Sequence, residues 1–552
     1  MKGREPARAA GGMPGRRGRP RAPRRPLLDA AAVGSEGRGG VVAAMRSWRT
    51  ASVALLSFAS GLPLGLVWIA IPDWMRSIGV DIRTVGLLTL AQAPWSFKVL
   101  WSPLMDRYVP PWLGRRRGWA ALAQAALLLL GLALAGVGHH PETPWVVAAL
   151  ALAIAFASAT QDIAVDAYAV DVLRLEEQGV AVGARIACYR AAMFVAGGLS
   201  ITLAGRWSWP VVNVLLALAY LPMLLVSWRA PEPEREPAPP PTLREAVWLP
   251  FLGFLARHRA LEILAFVVCY KLADNLAGAL TRPFLIDMGY DEFDRGVALA
   301  TVGLAATLAG TFLGGVLTTA MGLGHALWVF GLLQIFSNLG YVLVAGSPPD
   351  RPLMYGATGF EQLTSGMGTG AFSVLLLRLT QKRFSATQYA LFSSLFGLPR
   401  IVSGPITGWL VDALGWRAFY WVTIAAGVPG MLLLARFVPP GVREPVFAVE
   451  PPARRAPLGT FALAARGVAG GLAVAAAALV AVAVLAALKT ARDRPDAGVD
   501  VVSALAILLH PSGIAGWLEL LGVAALGAVA GLFTAAVAAA RRGAGAEAAA
   551  EG

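Results

Sequence analysis

Carboxylates and amines inside long apolar stretches are the residues of this sequence with chemistry to do. Asp162 and Asp166 are four apart with Gln161 beside them, so on a helix both carboxylates share one face. Such a face accepts hydrogen bonds from the hydroxyl and N–H groups of a sugar or amide. Gly61 and Ala159 are small enough to let a helix or a solute come close. A structural alternative pairs Asp166 with Arg185 or Arg190 further along. Lys271, Asp274 and Asn275 follow one another at i, i+3 and i+4 and also share a face. Lys271 and Asp274 could neutralise each other, or Lys271 could meet a solute carboxylate while Asp274 titrates. Glu361, next to Gln362, has no basic partner on its own helix, so Asp274 and Glu361 are the candidates for proton coupling. Gln334 and Asn338, four apart, read as interhelical hydrogen-bond formers. The expected solute-binding set is thus Gly61, Ala159, Gln161, Asp162, Lys271 and Asn275.

Chemistry of other kinds finds no support. No nucleophile–base pair is legible, so an enzyme is not expected. Cys188 and Cys269 lie in apolar stretches, without metal-ligand spacing or a structural pairing. His139 and His140 read as solvated loop residues. Gly366, Gly368 and Gly370 lie inside an apolar run with no strand before them, so they are packing glycines and not a nucleotide loop. Gly61 and Gly65, Gly310 and Gly314, and Gly404 and Gly408 have the same small-residue spacing. No cofactor or metal is implied.

These residues need long apolar elements to hold them. Of 552 residues, 57% are hydrophobic and 14% charged, whereas a soluble domain carries about a quarter charged. About 20 apolar residues span the hydrocarbon core as a helix, and the runs are continuous rather than alternating, which excludes a β-barrel. Spans are predicted at 49–71, 84–105, 119–138, 145–168, 180–203 and 209–228, then at 260–280, 294–318, 323–345, 352–376, 386–412 and 416–436. Two more follow at 464–487 and 512–540. The expected organisation is a basic disordered tail (1–47), a six-helix half (48–228), a linker (229–258), a second half (259–438), a linker (439–462), two extra spans (463–541) and a tail (542–552). The tail is read either as a cytoplasmic arm or as sequence upstream of a start at Met45.

The net charge of +14 collects on one side of these spans. With a cytoplasmic N-terminus, Arg107, Arg115, Arg116, Arg117, Arg174, Arg229, Arg235, Arg244, Arg257, Arg259, Arg378, Lys382 and Arg383 all fall inside. Lys489, Arg492 and Arg494 in the last outer loop are the exception. A membrane, not nucleic acid, is therefore the partner of the positive charge.

The chain also repeats itself. Gly79, Asp81, Gly86 and Gly114 recur 210 residues later as Gly289, Asp291, Gly296 and Gly324. Gly197, Trp209 and Pro222 recur 207 residues later as Gly404, Trp416 and Pro429. Both offsets map six spans onto six spans in the same orientation, with a solute site expected near mid-membrane between the halves. The offset puts Lys271 and Asn275 opposite Gly61 and Gly65, and Val316 opposite Asp106.

Two local patterns point to a family. Trp101 to Arg107, followed by Gly114 to Gly118, sets an acidic helix end before a basic cluster, and resembles the cytoplasmic loop signature of major facilitator transporters. Asp106, Arg107, Arg115, Arg116 and Arg117, with Asp166, are the expected inner gate; the arginines could alternatively serve topology alone. Residues 60–63, 97–119, 159–163, 166–167 and 171–173 resemble the AmpG family of muropeptide permeases. So do 366–369, 384–388, 404–405 and 415–416, and the likeness covers about residues 49–438. Thr160 and Tyr168 depart conservatively from that family's usual Ser and Trp. The resemblance implies an all-α major facilitator fold that imports anhydromuropeptides across a bacterial inner membrane, driven by protons, as a monomer. The alternatives are another amphipathic sugar, peptide or acyl-CoA-like cargo, or a membrane sensor or scaffold without flux.

Overall fold

A computed structural model describes residues 33–81, 84–85, 88–140, 144–233, 238–447, 458–493, 498–511 and 513–542. Residues 1–32 of the expected tail, the terminal residues 543–552, and Arg83, Gly86, Arg235 and Arg494 lie outside the described residues. Val33–Arg46 is helical, not the unstructured arm expected of it. Ser47, just after it, donates to Glu177 Oε1 at 2.6 Å.

Every described crossing is helical, because a backbone in lipid must satisfy its own polar groups. Eleven helices among the described residues are long and apolar enough to cross a membrane. They are spans one (Trp48–Ser77), three (Arg115–Gly136), four (Pro144–Val172), five (Gln178–Ala204), six (Trp209–Arg229), seven (Ala260–Asp287), eight (Glu292–Met321), nine (Leu323–Gly346) and twelve (Leu410–Phe437), with Thr460–Ala487 and Glu519–Ala540 at the end. The other three expected spans are the ones with the most interrupted or polar sequence. Span two is a chain of short pieces, Thr89–Gln92, Ala93–Phe97, Lys98–Leu100 and Ser102–Arg107, with Pro94 and Pro103 at the start of two of them. Span ten (Arg351–Leu379) carries Glu361, Gln362, Thr364, Ser365 and Thr369. Span eleven begins the continuous stretch Ser385–Phe437, which Gly415 (φ 75°) divides from span twelve.

The turns confirm the repeat and correct its register. Gly79 and Gly289 follow spans one and seven at φ 89° and 82°. Gly114 caps span three at φ 71°, but its structural counterpart before span nine is Gly322 at φ 88°, not Gly324. Gly324 instead packs its backbone on Val442 and donates to the Arg443 carbonyl at 2.8 Å. Before spans six and twelve stand Ser208 (φ 124°, ψ 156°) and Gly415 (φ 75°, ψ 163°). The second half therefore uses glycine where the first holds a serine in backbone territory suited to glycine.

Three apolar cores organise the bundle. One lies within the first half around Trp74, Leu134 and Ile154, and one within the second around Phe284, Tyr341 and Tyr420. The third joins both halves at their arginine-rich end, from Ile163, Val170 and Ala181 across to Phe266, Phe330, Leu375 and Phe392. Small residues set the tightest contacts. A Cβ on Gly314 would lie 2.5 Å from Met367 Cα, and Gly366 would meet the Thr311 backbone at 2.8 Å, so spans eight and ten touch backbone to backbone. Gly404 has open space around it, so the expected close packing at Gly404 and Gly408 does not occur.

The linker is not plain coil. Thr242 caps the helix Leu243–Leu255 by accepting from the Glu245 N–H at 3.2 Å, and Phe251 and Leu252 pack with Leu391 of span eleven and Ala536 of the last span. The last two crossings, Thr460–Asp493 and Ile514–Ala540, thus lean on the bundle through this helix, with a short helix Val501–Leu509 between them.

Candidate transport site between the halves

Three polar clusters lie inside the bundle, one at the seam of the two halves and one in each half. The first is a clasp at the arginine-rich end. Asp106, at the end of span two, is fully enclosed. It accepts from Arg116 Nη2 at 2.7 Å and, across the seam, from the Ala386 and Thr387 N–H groups at 3.2 and 2.8 Å and Thr387 Oγ1 at 2.6 Å. A carboxylate of one half therefore caps the first turn of span eleven in the other, where unpaired amides and the helix dipole favour negative charge. Arg116 also donates to Asp171 Oδ2 at 2.9 Å and to Ser385 Oγ at 2.7 Å. Arg115 donates to the Arg383 carbonyl across the same seam at 3.4 Å.

The expected gate needs three corrections. Asp166 is not part of it; Asp171, five residues on, is the carboxylate that reaches Arg116. Arg117 turns to the linker instead, bonding Glu232 and the Ala230 carbonyl. Arg107 lies over the Tyr108 ring at 5.6 Å. The basic run looked uniform as sequence, but successive helical residues point about 100° apart, so only some face the seam.

The second cluster belongs to the first half. Asp166 pairs with Arg185 of span five and with Lys98 of span two, the latter at 3.4 Å. The structural alternative read from the sequence therefore describes Asp166, with Arg185 rather than Arg190 as partner. Gln161 Nε2 donates to Ser60 Oγ at 3.2 Å, and the adjoining Asp162 is only half-buried. The guanidinium of Arg185 also lies 5.8 Å from the ring of Tyr389, which span eleven supplies from the other half. Gly61 faces the Tyr189 carbonyl and Ala192 of span five, and Ala159 is fully enclosed. Both are packing residues in this conformation rather than the solute-lining ones expected.

The third cluster belongs to the second half, where span seven breaks at Lys271 (φ −104°) between Ala260–Cys269 and Leu272–Ala279. The ammonium of Lys271 is enclosed, and it donates to Asp274 Oδ2 at 2.6 Å, Gln334 Oε1 at 2.5 Å and the Ser365 carbonyl at 2.8 Å. Its three protons are thus occupied, and the self-neutralised reading of the pair is the observed one. Gln334, expected to be a plain interhelical bridge, is one of its ligands. Asn275 Nδ2 donates back to the Lys271 carbonyl at 2.8 Å and stays half-buried. Glu361 accepts from Gln362 Nε2 at 2.8 Å and Tyr341 OH at 3.4 Å, and among the described residues no ion pair reaches it. Among the described residues no group of His, Cys, Asp and Glu is placed to hold a metal.

Sequence reasoning missed Lys98, Arg185, Tyr389 and Asp171 as members of these clusters. Lys98 and Asp171 stand inside the family motifs, and the sequence marks Arg185 only as a partner for Asp166. Tyr389 gave no signal, because its role depends on the packing of spans five and eleven.

The arrangement is that of a rocking transporter: two like halves, clasped at one end, with polar side chains between them. The sequence matches the Major Facilitator Superfamily over residues 53–399. It is 43% identical over 388 residues to the anhydromuropeptide permease of Escherichia coli K12, covering 70% of this chain and 79% of that one. An uncharacterized protein of Haemophilus influenzae is 34% identical over 394 residues, covering 69% and 92%. Among solved structures, the fold is similar to the proton:xylose symporter XylE (TM-score 0.52, 13% identity, covering 71% and 96%) and to the human organic anion transporter MFSD10 (TM-score 0.51, 13% identity, covering 70% and 99%). The chain is a multi-pass membrane transporter that belongs to the major facilitator superfamily and, within it, to the AmpG family of muropeptide permeases.

Proposed function

We propose that this protein imports anhydromuropeptides, disaccharides of N-acetylglucosamine and anhydro-N-acetylmuramic acid with or without a peptide stem, for cell-wall recycling. The observation that carries this reading is the 43% identity over 388 residues to a protein named as an anhydromuropeptide permease. The transporter lies in the bacterial inner membrane as a monomer with a cytoplasmic N-terminus. In that orientation the Asp106 clasp is the inner gate, and it is closed here.

The half-buried Asp162 and Asn275, near the clusters of the two halves, are available for sugar and amide groups. Proton symport is supported by Glu361, a carboxylate inside the second half without a cation bound to it among the described residues. Its neighbour Asp274 already carries Lys271, which favours Glu361 over Asp274 as the coupling group.

The test is uptake of labelled GlcNAc-anhydroMurNAc-tripeptide into proteoliposomes under an imposed pH gradient. Saturable uptake that fails when the gradient is collapsed is the expected result. Uptake indifferent to the gradient would remove proton coupling, and no saturable uptake would remove the substrate.

A further inference from the structure

Outside the clasp and the two clusters, two further charged groups of the described residues stand apart. Arg190 lies on span five and Arg400 on span eleven, one from each half, and both are exposed although their helices cross the membrane. Arg190 follows Gly179 and Gly183 at i+11 and i+7, so it continues the stripe with which span five touches Thr311, Phe312 and Gly315 of span eight. Arg400 follows Tyr389 at i+11 on the face of span eleven that reaches Arg185. At 1.5 Å per residue, Arg190 stands about 18 Å and Arg400 about 22 Å above the clasped ends of their helices, the same mid-membrane level.

Neither guanidinium makes a hydrogen bond or ion pair among the described residues. Arg400 lies over the Trp68 ring at 5.8 Å, and Arg190 is repelled electrostatically by Arg400. Two unneutralised cations at this depth are costly unless something anionic visits them. The other cations nearby are already committed: Lys98 and Arg185 to Asp166, and Lys271 to Asp274, Gln334 and Ser365.

We propose that Arg190 and Arg400 form a two-armed anion site that holds a carboxylate of the transported solute. This rests on the muropeptide reading, since peptide stems carry free carboxylates. Guanidinium groups bind carboxylates through charge-assisted, often bidentate hydrogen bonds. Because one arm comes from each half, an empty site pushes the halves apart and a filled site draws them together. The solute carboxylate is thus also the signal for closure around the cargo.

The test uses the full chain in lipid nanodiscs. Two probes are titrated calorimetrically: GlcNAc-anhydroMurNAc-tripeptide, and the same compound with its carboxyl groups as methyl esters. Arg190→Gln and Arg400→Gln should each weaken the acid by about tenfold or more while binding the ester as the wild type does. Arg190→Lys and Arg400→Lys should bind the acid more tightly than the Gln variants, which separates charge from misfolding. Unchanged affinity for the acid, or equal losses for acid and ester, would overturn the site. If the wild type binds neither probe, the muropeptide reading fails, and the anion site is judged with citrate. Citrate should then change the Trp68 fluorescence, obtained as the difference from Trp68→Phe, and this response should vanish in Arg400→Gln. No citrate response would overturn the site independently of the substrate.

Discussion

Glu361 and Lys271 show how differently two charges inside one half can be held. Lys271 is surrounded by acceptors, so its charge is spent within the protein. Removing it alone strands Asp274. Lys271→Met should therefore destabilise the folded transporter by about 3–5 kcal/mol, and Lys271→Met with Asp274→Asn should recover much of that, both read by thermal unfolding in detergent. Among the described residues Glu361 has only neutral bonds, from Gln362 and Tyr341. Glu361→Gln keeps the shape and most of the bonding but cannot titrate. The variant should fold and bind cargo, while its uptake becomes nearly independent of pH between about pH 5 and 8; a wild-type pH profile in the variant would free Glu361 of the coupling role.

Helices here are spaced by glycine or bent by design, and the two effects make opposite predictions. Spans eight and ten meet backbone to backbone at Gly314 and Gly366, so Gly314→Leu has nowhere to put its side chain and should abolish stable expression. Gly404 has the same spacing signature but open surroundings, so Gly404→Ala should change stability by no more than about 0.5 kcal/mol. Ser208 sits at φ 124° where the second half has Gly415. Ser208→Gly should relieve about 1–3 kcal/mol of backbone strain and raise the melting temperature. Span seven breaks at Lys271 and span one loosens into a π-turn at Leu66–Ala70, on the side that packs Gly65 against Gly197. Such interruptions persist near transport sites because backbone groups there find partners other than their own helix.

At the scale of the whole molecule, the Asp106 carboxylate is the centre of the bonds that hold the closed end across the seam. Asp106→Asn keeps an acceptor but loses the charge that Arg116 and the start of span eleven share. Spin labels at Leu175 and Lys382, in the loops at that end, should show a longer distance in the Asp106→Asn variant than in the parent, with Cys188 and Cys269 replaced in both. Identical distance distributions would mean that the clasp does not set the equilibrium between open and closed states.

The sequence by itself determined the architecture, for a physical reason: membrane helices are specified by local length, hydropathy and charge, all of which lie along the chain. The spans, the doubled half and the side of the arginines were therefore legible, as were Asp106 and the Lys271–Asp274 pair. What the chain could not display was which face of each helix meets which neighbour. Only the tertiary structure decided that Asp171 rather than Asp166 completes the clasp, and that Gly61 and Ala159 pack helices instead of lining the seam. It likewise paired Gly114 with Gly322, because a cap is defined by backbone angles and not by a constant offset. Arg190 and Arg400 are the extreme case. They are 210 residues apart, and neither looks unusual until the fold leaves both, one in each half, without a carboxylate partner among the described residues.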